Sequence, residues 1–341
     1  MLNHKRPTID DVARLAGLST ATVSRFINGS AVVSAERAAK IKAAIQELHY
    51  TPHLAAQMLA SNKTRAIGLL LPTISGAFFA PVLRGVETRA IEKGYSLLVH
   101  STQAQAQNAA GKGTFKKILA EHNTDGLLIF AASVDATELS RLHSIGFPVV
   151  LLHQASPKEF SLPAITVENK NGVRALIDHL IEDHQRRRIV QLRGPENHDD
   201  TYWRDLGYRQ SLEAHGIPYE ADLIETGGFN TEQARQAMRR ILTRGIHFDA
   251  VFAGDDESAS GAMMALREAG WRIPQDAAVV GFDDLNLAEH LTPPLTTVHS
   301  PIEQVASEAV ELLVKQIGGE AVPAETLLPT YLVRRNSCGC S

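Results

Sequence analysis

Apolar residues along this chain change their rhythm at one place. Up to about Leu48 they recur every three or four positions in three short stretches, and from Ala66 onward continuous apolar runs alternate with longer stretches of helical spacing. Val12, Leu15 and Ala16 form the first stripe, Val23, Phe26 and Ile27 the second, and Ile41, Ile45 and Leu48 the third. Each is the one-sided pattern of an amphipathic helix. Start and stop signals bracket them. Thr8 with Asp11 fits a capping box, Gly17 closes the first helix, Ser19 caps the second, Gly29 stops it and Ser34 opens the third. Three short helices with a glycine turn predict a helix-turn-helix. The second helix leaves Thr20, Ala21, Thr22, Ser24 and Arg25 outward. That face is slim enough for a DNA major groove and carries donors for base edges and phosphates.

The second rhythm predicts strands beginning at Ala66, Tyr95, Asp125, Phe147, Arg187, Asp249 and Ala277. Helical patterns separate them, among them Val82 to Glu92, Asn171 to Ile181, Thr201 to Ala214, Glu232 to Leu242 and Ser258 to Ala269. A repeated strand-helix-strand order implies parallel sheets covered by helices on both faces. One sheet rarely grows so large, so two lobes are expected, with a ligand cleft at the strand carboxyl ends. Arg204, Asp255 and Asp283 fall at such ends. A carboxylate beside a guanidinium suits a sugar hydroxyl, which both donates and accepts. Between the two regions, PHLAAQMLASNKT starts with proline at a first helical position and places Leu54, Ala55, Met58 and Leu59 within two turns. It is too short to be stable alone.

Charge separates the same two regions. The 341-residue chain has a formal net charge of -4, yet the residues up to Arg65 carry nine basic and four acidic side chains. A basic module on an acidic body suggests that one end meets a polyanion. The N-terminus MLNHKRPTIDD has no apolar run after its basic residues, and no later run approaches the roughly 20 residues that span a bilayer. A cytoplasmic protein without membrane partners is therefore expected. Cys338 and Cys340, both in the last four residues, are expected to form a plain tail, with no disulfide framework and no partners for a zinc site.

The segment TIDDVARLAGLSTATVSRFINGSAVVSAERAAKIKAAIQELHYTPHLAAQMLA resembles the DNA-binding head of the lactose-repressor (LacI/GalR) family. PTISGAFFAPVLRGVE, RDLGYRQSLEAHGI, FDAVFAGDDESASGAMMAL, IPQDAAVVGFDDL and PPLTTVHSP resemble the family's ligand-binding core, akin to two-lobed periplasmic sugar-binding proteins. The resemblance implies an α/β protein with a helix-turn-helix head over 1–50, a hinge helix and linker over 51–65, a core over 66–335 and a tail over 336–341. Within the core it implies one lobe of about 66–163 with 295–327 and another of about 164–294. It implies that Thr20, Ala21 and Arg25 read bases, that Thr8, Ser19, Thr22, Ser24 and Asn28 meet phosphates, and that Leu59 wedges into the minor groove. Phe79 matches an aromatic wall of the pocket, His153 a polar hook, and Arg204 and Asp283 the paired ligand contacts. Function then follows as a homodimeric repressor on a pseudo-palindromic operator, its operator affinity controlled by a small sugar-like effector whose release of the operator family precedent favours, with no cofactor, metal or catalytic residue.

Two departures bear on specificity. Ala21 offers a base only an apolar contact. The family pattern of asparagine then aspartate is here Asp255 then Asp256, a pure acceptor in place of an amide, which disfavours a strongly anionic ligand. Enzyme readings lack support, because no strand is followed by GxGxxG, and GxSxG and HExxH are absent. A secreted sugar-binding protein would need a signal peptide and no basic head.

Overall fold

The computed structural model describes residues 7–28, 31–50, 63–102 and 123–340. The chain forms two compact units, Met1–Arg65 and Ala66–Ser341.

In the first unit, α1 (Ile9–Ala16), α2 (Thr20–Ile27) and α3 (Ala35–Glu47) follow the expected stripes. The Thr8 amide donates to Asp11 Oδ2 at 2.9 Å and the Asp11 amide to Thr8 Oγ1 at 3.4 Å, a reciprocal box that satisfies two orphan donors. Gly17 turns left-handed at φ 65°, where a side chain would be strained. The Ser19 hydroxyl accepts from the Thr22 amide at 3.3 Å, whereas Ser34 makes no side-chain cap. Val12, Ala13, Ala16, Val23, Ile41, Ala44 and Tyr50 form the small core. Leu15, expected inside, is 45% exposed, and Ala13 is buried instead. At about 100° per residue, positions 12, 16 and 13 share one arc while 15 falls beyond its rim.

In the second unit, one sheet has six parallel strands in the order β11-β5-β4-β3-β1-β2. They are β1 (Ala66–Leu71), β2 (Ser96–Ser101), β3 (Gly126–Phe130), β4 (Val149–Leu152), β5 (Ala164–Val167) and β11 (Glu325–Leu328). A second sheet has four, in the order β7-β6-β8-β9, comprising β6 (Ile189–Arg193), β7 (Ile224–Thr226), β8 (Ala250–Ala253) and β9 (Ala278–Val280). The central strands are buried on both faces, which is why they read as continuous apolar runs. Helices Phe79–Glu92 and Ile302–Ile317 pack together on the first sheet. Asn169–Glu182 packs with Asp199–Ala214, and Thr231–Thr243 with Asp256–Glu268. No helix among the described residues is long and apolar enough to cross a membrane.

The lobe borders differ from those expected. β5 pairs in parallel with β4 and β11, so the first sheet extends to Val167 rather than 163. Leu295, assigned to the first lobe, packs in the core around the second sheet. β10 (Thr297–His299) pairs antiparallel with β12 (Tyr331–Val333). The expected plain tail is also corrected. Asn336–Cys338 forms a helical turn in which Ser337 and Cys338 are fully buried. Ser337 Oγ donates to the Val279 carbonyl at 2.5 Å and accepts from the Thr296 amide at 2.8 Å. Backbone groups at the crossing between sheets need partners once buried, and the C-terminal segment supplies them.

Candidate functional site

A cavity of about 640 Å³ opens where the strands of both sheets end, within the range of roughly 300 to 1,000 Å³ typical of small-molecule sites. Its lining comes from the residues that follow β1, β2, β3, β6, β7, β8 and β9, namely Pro72 and Thr73, Thr102, Ala131 and Ala132, His198 and Asp200, Phe229, Asp255 and Asp283. The backbone is strained at several of these positions. Ala132, Phe229 and Asp283 have φ of 60°, 53° and 107°, a cost tolerated mostly at functional sites.

Arg204, on the helix that follows β6, is the centre of the polar floor. Nε donates to Asn169 Oδ1 at 2.8 Å, Nη1 to the Gly254 carbonyl at 2.5 Å and Nη2 to Asp283 Oδ1 at 3.1 Å. Asp200 Oδ2 is 3.9 Å away. Its guanidinium also lies 3.8 Å from the centre of the Phe282 ring. Asp255 caps the Asp256–Glu268 helix, accepting from the Ser258 amide at 2.9 Å.

These groups do not ionise alike. Burial pushes Asp283 up to about 8, partly opposed by Arg204, and burial pushes Asp255 up to about 6 against its bonds to Ser258. Burial would raise Asp200 too, but His153 and Arg204 beside it outweigh that and hold its carboxyl below the usual range. Burial lowers His198 and favours its neutral ring. The floor therefore offers Arg204 as a committed cation, Asp200 as a carboxylate that only accepts, and Asp255 and Asp283 as carboxyls able to donate as well as accept. Such a floor suits a ligand with several hydroxyl groups. Phe78, Phe79 and Phe130 form an edge-to-face aromatic wall with centroids 5.3 to 5.8 Å apart.

The structure thus brings Phe79, Arg204, Asp255 and Asp283 to one cavity and leaves His153 out of its lining. The His153 ring lies behind Phe78 and Phe130, with Nδ1 3.1 Å from Asp200 Oδ2. It holds Asp200 in place rather than facing a ligand. Asp256 also points elsewhere, accepting from Thr297 Oγ1 at 2.6 Å and the Leu285 amide at 2.7 Å. Asp200, His198, Phe78, Phe130 and Phe229 were missed. The clue was the polar run GPENHDD directly after β6, the strand-end position that singled out Arg204.

On the head, Ala21 and Arg25 stand exposed on α2, while Thr22, Ser24 and Asn28 are half-buried along it. Arg25 Nε donates to the Ala21 carbonyl at 3.2 Å, Asn28 Nδ2 to Ser24 Oγ at 3.2 Å and Thr20 Oγ1 to Asp10 Oδ1 at 2.9 Å. Thr8 and Ser19 are exposed at the starts of α1 and α2. Both are N-cap residues, and the N-terminal end of a helix attracts phosphate. Leu59 and the rest of 51–62 lie outside the described residues.

Comparison with known proteins matches residues 8–53 to the bacterial regulatory proteins of the lacI family and residues 177–338 to the periplasmic binding protein-like domain. The HTH-type transcriptional regulator CelR of Thermobifida fusca is 34% identical over 345 residues, spanning 99% of this chain and 100% of that protein. The ribose operon repressor of Escherichia coli K12 is 34% identical across 97% of this chain and 99% of its own. A solved complex of transcriptional regulator CelR with cellobiose matches with a TM-score of 0.72 at 33% identity, covering 97% of this chain and 100% of that one. The lac repressor dimer bound to operator and the anti-inducer ONPF matches with a TM-score of 0.83 at 27% identity, covering 98% and 99%.

Proposed function

Because the chain belongs to the LacI family of bacterial regulatory proteins, we propose that its operator affinity is set by a neutral sugar bound between the two sheets of the core. It is a DNA-binding transcriptional regulator, and its relatives are named regulators and repressors rather than enzymes. The observation that carries the effector reading is the buried Arg204–Asp283 pair on the cavity floor beneath an aromatic wall. Apolar sugar faces stack on aromatic rings while hydroxyls bridge guanidinium and carboxyl. The cellobiose of the CelR complex and the ribose operon that the other relative is named for both point to sugars. The repressor acts as a cytoplasmic homodimer on a pseudo-palindromic operator, as the lac repressor does in its operator-bound dimer.

For the head, we assign base reading to Thr20, Ala21 and Arg25, phosphate contacts to Thr8, Ser19, Thr22, Ser24 and Asn28, and the minor-groove wedge to Leu59. Sugar drawn between the lobes alters their angle, and the 51–65 segment passes that change to the head. Coupling of this kind is reciprocal, so operator must weaken sugar binding by the factor that sugar weakens operator binding. Calorimetry on the full-length protein with neutral mono- and disaccharides, sugar acids and purines tests the reading. A neutral sugar is expected to bind and to release the operator at fixed salt. Binding by purines or sugar acids alone would overturn it.

A further inference from the structure

Four side chains unused by the effector cleft converge where the end of the chain meets the Asn169–Glu182 helix. They are His179, His184, Cys338 and Cys340, and their ligating atoms all lie within 4.8 Å of one another. His179 sits in the last turn of that helix and His184 just past its end, at H-x4-H spacing. Cys338 Sγ is 3.5 Å from His179 Nε2, while Cys340 Sγ is 3.6 Å from His179 Nε2 and 3.4 Å from His184 Nε2. Tetrahedral zinc, with sulfur at about 2.3 Å and nitrogen at about 2.0 Å, places neighbouring sulfur and nitrogen ligands about 3.5 Å apart. The three contacts have the lengths of the edges of such a tetrahedron.

The surroundings fit the same reading. His179 Nδ1 is 2.7 Å from Asp183 Oδ2, the carboxylate partner that fixes a histidine with Nε2 free for a metal. Gly339 turns at φ 112°, and a Cβ there would press on the His184 ring at 3.2 Å. Glycine at 339 thus lets the chain turn between the two cysteines without strain or crowding against that ring. His179 and Cys338 are buried, while His184 and Cys340 are half-buried, so one edge is open for an ion to enter.

We propose that His179, His184, Cys338 and Cys340 bind one zinc ion that fastens the C-terminal segment to the second lobe. Two thiolates and two imidazoles in tetrahedral array favour zinc over calcium or magnesium. The fastened segment braces the effector site from behind. Arg335 Nη2 donates to Asp284 Oδ1 at 2.7 Å, next to Asp283, and its backbone amide donates to Thr296 Oγ1 at 2.8 Å.

The test uses the full-length protein expressed with added zinc and desalted. About one zinc per chain is expected by plasma mass spectrometry. Cobalt in its place should give strong tetrahedral visible bands and a sulfur-to-metal band in the near ultraviolet. Cys340→Ser and His184→Ala should each lose stoichiometric zinc. Asp183→Asn, which removes no ligand, should weaken cobalt binding about 10- to 100-fold. Chelation should lower the melting temperature of the wild type but not of Cys340→Ser. Zinc-independent reaction of both thiols with no cobalt bands would overturn the proposal, as would a Cys338–Cys340 disulfide in freshly purified protein that zinc does not prevent.

Discussion

The head and the effector cleft hold their working side chains in opposite ways, and two arginines carry the contrast. Arg25 stands exposed on α2, and among the described residues its side chain bonds only the Ala21 carbonyl one turn back. Arg204 is 4% exposed and engages Asn169, Gly254 and Asp283 at once. The head is packed around Val12, Val23 and Ile41, and its function uses what that core leaves outside. In the cleft the site is itself part of the core. Substitutions in the head should therefore separate binding from stability, and substitutions in the cleft should not.

Arg204→Met tests this most severely. The variant keeps much of the volume but leaves Asp283 and Asp200 buried without their cation, a loss of about 3 to 5 kcal/mol for a broken buried pair. Urea unfolding of the core should shift by that order, and sugar binding should disappear with it. A variant as stable as wild type that fails only to bind sugar would break the comparison, since the cleft would then behave like the head.

Asp283→Asn is milder, removing the ionisable carboxyl while keeping its shape. Above about pH 8, where Asp283 is ionised, sugar affinity should fall by about 1.5 to 3 kcal/mol, the scale of hydrogen bonds to charged groups. Its pH dependence has a definite sign. Burial raises Asp283 to about 8, far above the roughly 3.9 of an unfolded aspartate. The folded state thus holds the proton more tightly. The associated stability is present below the unfolded value and is lost as pH rises toward 8. Melting temperatures of the wild type should decline between pH 6 and 8, and those of Asp283→Asn should decline less. Parallel curves would remove Asp283 from the titration.

Arg25→Ala should do the converse. Loss of a guanidinium that reads a base costs about 1 to 3 kcal/mol of specific operator binding, while melting of the head stays within error. Gel shifts at fixed salt, against specific and scrambled duplexes, measure it. Equal affinity for the operator would show that Arg25 faces away from the bases.

The same contrast explains what could be read from the sequence. The head is a set of local signals, with Thr8 and Asp11 three residues apart and the stripes within single helices, so the Thr8 and Ser19 caps, the Gly17 turn and the outward face were legible, whereas Ser34 makes no side-chain cap and the expected stop Gly29 lies outside the described residues. Leu15 was misplaced because a spacing of three admits two arcs that only packing separates. Strand-end position pointed to Asp255 and Asp283 and the family motif to Arg204, which lies within the Asp199–Ala214 helix, and all three line one cavity. Neither could tell that His153 would lie behind Phe78 while Asp200, 47 positions later, came forward. The C-terminal cysteines were illegible for the same reason, since Cys340 meets His184 across 156 positions. Spacing within the last four residues says nothing about a helix so far upstream.

Ser19 offers the finest test, because fold and function meet there in one hydroxyl. Its Oγ accepts from the Thr22 amide and lies 2.9 Å from the Thr22 hydroxyl, at the exposed start of α2. Ser19→Ala should cost about 1 kcal/mol of head stability through the lost cap, whereas Ser19→Gly should cost only a few tenths, because glycine adopts the cap conformation readily. Neither variant has a hydroxyl for phosphate. If Ser19 serves only the fold, operator affinity should follow stability, with glycine close to wild type and alanine weaker. If it also contacts phosphate, both variants should lose a similar, small amount of affinity for specific and scrambled DNA alike, since phosphate contacts carry no sequence information. Our assignment expects the second pattern. Head melting and paired gel shifts on the two variants decide it, and glycine binding operator as tightly as serine would reduce Ser19 to a cap.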